Sequence, residues 1–148
     1  MNKLIKASNL GNLSAREETT EYAKEKINQF IGNKDYHLAL LIAHIYIGIR
    51  LKTLLINWVN KNRNNQTEEN WKKIALVFKD ISFDASLRNC KNFKLLNDGE
   101  FEKLRELQGR RNDVAHDSRL WRITPSLEEV NDIKNICESV IKFLERTQ

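Results

Sequence analysis

A single proline, Pro125, interrupts 148 residues, and only five glycines accompany it. So few breakers leave little to punctuate strands and tight turns, and the chain therefore points to long helices. The apolar spacing agrees, and about five helices can be read from it, with a further short one between them. "SARE" at Ser14–Glu17 forms a capping box that opens a first, mostly polar helix, with Gly32 as its C-cap. Asp35 starts a second, running to about Asn62. Its apolar side chains point almost all the way round, which predicts a central, buried helix. After the polar loop "NRNNQ", Thr67 caps a third helix with Trp71, Ile74, Val77 and Phe78 on one side. A short helix is expected near Phe83–Cys90. Asn97 with Glu100 forms another capping box, opening a helix through Phe101, Leu104 and Leu107. "SLEE" at Ser126–Glu129 starts the last helix, with Leu127, Val130, Ile133, Cys137, Val140, Ile141 and Leu144 as its core face. The expected architecture is all-α, a single-domain antiparallel bundle over residues 14–148, with residues 1–13 as a flexible N-terminal segment.

Composition narrows the setting. A net charge of +5 permits a polyanionic partner without requiring one. Cys90 and Cys137 stand far apart with no CxxC and no histidine cluster, so buried free thiols in a reducing cytoplasm are expected, not a disulfide or a zinc site. "MNKLIKASNLGNLSAREE" has no apolar core of a secretory signal. The run "LALLIAHIYIGI" is too short, and too soon followed by Arg50 and Lys52, to span a bilayer. A cytoplasmic protein without a membrane partner is expected.

Two helices carry a cation where apolar packing is expected. With Phe101 at 0°, residues Leu104, Leu107, Val114 and Ala115 fall between about 220° and 320°, and Arg111 falls among them at about 280°. Arg110 lies off that stripe, at about 180°. A guanidinium on a core-facing seam is costly unless it is paired or the seam opens onto a cleft. Three readings follow: a cleft, an ion pair inside the bundle, or a helix that ends before Arg111. Asn112 and His116 sit one turn apart, so Asn112 is placed to orient the imidazole. On the central helix, Tyr46, Arg50, Thr53 and Asn57 form a narrow polar stripe. It is either a solvent-facing edge or a second wall of the same cleft.

Arg111-Asn112-Asp113-Val114-Ala115-His116 resembles the R-x(4–6)-H signature of HEPN domains. The likeness extends over roughly Ser14 to Arg146, with a long apolar helix early, the motif late in an amphipathic helix, and one helix to close. What the resemblance implies is a small helical bundle, of the kind found in toxin–antitoxin and phage-defence systems, acting as a metal-independent endoribonuclease across a homodimer. An antitoxin or defence-system partner protein is possible in such systems. Relatives paired with a nucleotidyltransferase antitoxin often carry a tyrosine two residues after the histidine. Ser118 stands there in this chain, which removes that modification site.

In that reading His116 transfers protons, Arg111 clamps the scissile phosphate and Asn112 orients, with no cofactor. One histidine per chain does not serve easily as both acid and base, so a two-fold dimer supplies the second. Arg105, Arg110, Arg119 and Arg122 are candidates for flanking phosphates. Trp121 either stacks a base or packs the link between the last two helices. Asp113 and Asp117 read as solvated or N–H-pairing groups, and His37 and His44 as surface and packing residues. The rival class is a non-catalytic helical RNA-binding or assembly module. Cleavage of DNA ranks behind both, because metal-free attack needs the 2′-OH.

Overall fold

In the computed structural model, which describes residues 13–62 and 67–148, every regular element is helical. The helices are α1 (Leu13–Gly32), α2 (Tyr36–Asn62), α3 (Glu68–Lys79), α4 (Phe83–Asn92), α5 (Asp98–His116) and α6 (Leu127–Arg146). A short 3₁₀ turn, Ser118–Arg122, links the last two. The expected flexible segment and the "NRNNQ" loop fall largely outside the described residues, as do the side chains of Trp71 and Ile74.

Local chemistry explains most boundaries. Thr67, Ser82 and Ser126 each accept the backbone N–H three residues on, satisfying donors that a helix start leaves open. Asn97 and Glu100 form the full reciprocal capping box. The end of α1 departs from expectation. Gly32 is its last helical residue, and the left-handed position falls on Lys34, at φ 63°. There Asp35 N–H reaches Phe30 O at 2.8 Å and Lys34 N–H reaches Ile31 O at 3.0 Å, a pair of bonds that closes a helix end.

α2 is the axis of the bundle and touches all five other helices. Ala39, Leu40, Ala43, Ile47, Leu51 and Leu55 are almost fully buried along it. Against them pack Ala23 and Ile27 of α1, Leu87 and Cys90 of α4, Leu104 and Leu107 of α5, and Ile136, Val140 and Phe143 of α6. Truncating one such leucine to alanine costs about 2–5 kcal/mol. The aromatic rings of Trp58 and Phe93 stack at 3.9 Å, fixing the far end of α2 to the α4–α5 link. By length and composition α2 also passes the test for a membrane-crossing helix, unlike the shorter run read from sequence, yet its buried residues form this core.

Four expectations need correction. α2 is not buried all round, because Ile45 and Ile49 are half exposed and Leu38 joins them. Among the described residues no helix covers that side of its N-terminal half. Val77 of α3 and Leu127 of α6 point outward, while Ile136 and Phe143 of α6 take core places. Ala115 of α5 is exposed. Finally, Tyr46 and Arg50 are buried, so this half of the polar stripe is neither a solvent edge nor a cleft wall, while Thr53 and Asn57 are partly exposed. Arg50 donates to Leu144 O at 2.6 Å, Thr147 Oγ1 at 2.8 Å and Thr20 Oγ1 at 2.8 Å. It thereby holds the carbonyl end of α6, where the helix dipole favours a cation.

Candidate functional site

α5 carries the motif, and both its ends are pinned. At its start, Glu100 closes the capping box and also accepts two bonds from Arg146 of α6, at 2.6 and 2.8 Å. From there the helix runs unbroken through Arg111 to His116, which removes the reading in which it stops short. Asp117 ends it: its backbone turns extended, and its side chain accepts the N–H of Arg119 at 3.0 Å. The same carboxylate meets the Arg119 guanidinium in a two-pronged contact. Hydrogen bonds from Arg119 hold Asp117 below the usual carboxylate range. Asp117 is thus an N–H-pairing group, as expected.

A continuous helix separates Arg111 and His116 by about 140° around the axis and roughly 7 Å along it. They face different surroundings. Arg111 is half-buried on the side toward α2, near His44. Burial first, and the Arg111 charge second, lower the His44 imidazole to about 4. That ring stacks on Phe83 of α4 with centroids 4.1 Å apart, and its Nε2 is buried with no hydrogen-bond partner among the described residues. His116 is exposed on the outer side of α5. It borders an open hollow of about 440 Å³ with Asn112, Asp113, Asp117 and Leu120.

Asn112 does not orient His116 in this chain. Its Oδ1 accepts Arg111 Nη1 at 3.2 Å, and among the described residues no hydrogen bond joins it to the imidazole.

The flanking residues divide. Arg110 is committed to Asp132 at 2.9 Å, tying α5 to α6, and Arg119 to Asp117 at 3.0 Å, so the phosphate role expected of both meets a competing carboxylate. Arg105 and Arg122 are exposed. Arg105 lies on the same outward side of α5 as Asn112 and His116, within about 40°. Trp121 behaves as a packing residue: its indole N–H donates to Val114 O at 2.9 Å, and its ring meets His37 edge-on at 5.5 Å. It nevertheless remains 47% exposed.

What the sequence reading missed is the row His37 and His44 on α2. The two are seven residues apart, two helical turns, and both face the motif segment. His37 Nε2 donates to Leu120 O at 3.1 Å. The available signal was a pair of histidines inside an uncharged apolar run. Burial also pushes the Cys90 and Cys137 thiols up to about 12, which keeps them protonated. Among the described residues no three His, Cys, Asp or Glu side chains converge as a metal set.

Compared with known protein families, curated proteins and solved structures, the chain finds no match. The resemblance to HEPN domains therefore rests on the motif and the order of the helices.

Proposed function

We propose that the chain is a metal-independent endoribonuclease of HEPN type, working on RNA in the cytoplasm through a composite site in a homodimer. A toxin–antitoxin or phage-defence system is the setting this reading carries with it. One observation supports it most: His116 stands open to solvent at the end of a rigid helix, while Arg111 leaves the same helix on another side. Among the described residues neither completes a site within one chain, which supports a composite site shared with a second copy.

The chemistry needs only these groups. An imidazole takes the proton of the ribose 2′-OH as its oxygen forms a bond to phosphorus. The bond from phosphorus to the 5′-oxygen breaks, and a second, protonated imidazole delivers a proton to that leaving oxygen. The product is a 2′,3′-cyclic phosphate and a free 5′-hydroxyl. Arg111 holds the non-bridging oxygens as charge builds on them. In this scheme Asn112 positions Arg111 instead of the imidazole.

A second reading keeps the RNA and drops the cleavage, and the contact of Arg111 with Asn112 beside His44 favours it, because a parked guanidinium can hold phosphate without chemistry. Incubation with a mixed RNA pool in chelator separates the two. Internal cuts that vanish in His116→Ala, and at a 2′-deoxy position, are the result expected of the enzyme. Binding without cuts overturns it in favour of the module.

A further inference from the structure

The start of α2 and the link before α6 meet around a small hollow. Lys34, Asp35 and His37 line it from the α2 end, and Trp121, Ile123 and Pro125 from the link. Its volume is about 170 Å³, below the roughly 300 Å³ at which sites for drug-sized ligands begin, and leaves room for one flat heterocycle. The His116 hollow lies next to it. Leu120 lines that second hollow, and its carbonyl accepts His37 Nε2 at 3.1 Å.

We infer that the smaller hollow takes a single unpaired guanine of the RNA, beside the phosphate that is cut, with Trp121 as its stacking surface and Asp35 as the reader of its edge. The inference rests on the function proposed above and adds a sequence preference to it.

Stacking comes first. Single-stranded RNA is held by bases laid on aromatic side chains, because every base has a π-face. Trp121 is 47% exposed, yet its ring is fixed. Val114 O accepts the indole N–H at 2.9 Å, and His37 meets the ring edge-on at 5.5 Å. A side chain already held in place loses little freedom when a ligand arrives. Ile123, 62% exposed, extends the apolar wall.

The polar groups then choose the base. Among the described residues no hydrogen bond or ion pair occupies the Asp35 carboxylate or the Lys34 ammonium. The His37 Nε2 proton goes to a carbonyl, so Nδ1 is left as an acceptor, and it is buried with no partner among the described residues. The hollow therefore offers acceptors from Asp35 and His37 and a cationic donor from Lys34. The pairing edge of guanine is the complement. Its N1–H and 2-amino group donate side by side, which a carboxylate accepts through both oxygens, and O6 beside them accepts from an ammonium. Adenine and cytosine each turn a ring acceptor toward the carboxylate next to their one amino group. Uracil sets its single N–H between two carbonyls. Of the four RNA bases, guanine alone satisfies the carboxylate and the ammonium together.

Fluorescence anisotropy with the full chain and a labelled 2′-O-methyl oligouridine carrying one guanine tests this, because that strand binds without being cut. Adenine in place of the guanine is expected to weaken binding at least about tenfold. Inosine, which lacks only the 2-amino group, is expected to fall between. Asp35→Asn keeps the helix start, since asparagine caps as well as aspartate, and is expected to bind the guanine and adenine strands alike. Trp121→Ala is expected to weaken both strands by a similar factor, at least about fivefold, and Trp121→Phe to recover most of it. A wild type with no preference for guanine overturns the inference, as does a preference that survives Asp35→Asn or an affinity untouched by Trp121→Ala. Mapping cuts in a mixed RNA pool in chelator separates this reading from the nuclease. Guanine preference in binding with no cuts sinks the nuclease and leaves the hollow. Cuts that need His116 but keep no fixed distance from a guanine do the reverse.

Discussion

Arg50 on α2 and Arg111 on α5 send the same message in sequence, a guanidinium set among apolar residues, and they meet opposite fates. Arg50 is 6% exposed and donates to three oxygens drawn from α1 and the end of α6. Arg111 is half-buried, bonded only to the adjacent Asn112 among the described residues, with an imidazole nearby. Burial alone does not tell a saturated cation from one with donors to spare. The number of its donors already spoken for does. A saturated guanidinium is part of the scaffold, and one with idle donors next to open surface has capacity for a ligand.

The largest expected effect breaks or keeps that contrast outright. Arg50→Ala should lower the unfolding free energy by about 3–5 kcal/mol, since it strands buried oxygens and a helix end. Arg111→Ala should cost less than about 1 kcal/mol in the same urea titration. Equal losses would erase the distinction. Under the proposed function, activity should run the other way: cleavage of RNA should fall about 10²–10⁴-fold in His116→Ala, and comparably in Arg111→Ala. Meanwhile both variants melt near the wild-type temperature.

A smaller effect reads the surroundings of Arg111 through pH. His44 binds its proton at about 4 when folded against 6.5 ordinarily, so the unfolded chain binds more protons in between. Stability is therefore greatest above the unfolded value and is lost as pH falls from 6.5 toward 4. Allowing for the ring's partial exposure, the loss should be about 1–2 kcal/mol. His44→Leu should flatten that slope, and Arg111→Gln should flatten it only in part, because burial is the larger cause. An unchanged slope in His44→Leu would show that another group titrates.

The smallest effects concern the flanking cations. Removing exposed Arg105 or Arg122 should reduce the salt dependence of RNA binding by about one unit of slope each. Arg110→Ala should leave that slope nearly intact and cost about 1 kcal/mol or less in stability, because its guanidinium already serves Asp132. A full unit lost on removing Arg110 would mean that RNA outcompetes the carboxylate.

Most of the helix plan was legible because it is written in local chemistry. Thr67, Asn97 with Glu100, and Ser126 each announce a start through a side chain that satisfies its own helix. Ends were harder. Lys34 and Lys94 adopt the left-handed conformation that glycine usually marks, so no residue type flagged them. Which side of α2 would stay open was illegible for another reason. An apolar side chain looks the same whether a neighbouring helix covers it or not, and only the placement of the other helices decides that Ile45 is open and Ile47 is not. The candidate site was legible as a list of residues and not as an arrangement. Arg111 and His116 stood out by type, whereas the turn of Asn112 toward Arg111 depends on side-chain torsions that spacing does not report.

The hold of Arg50 on Leu144 and Thr147 also orders events on the ribosome. The long central helix is synthesised early, yet two of its charge's oxygens arrive roughly a hundred residues later. Until they emerge, Thr20 of α1 is the earlier-made one of these three acceptors. The contacts of Arg50 are therefore complete only once the last turn of α6 is in place.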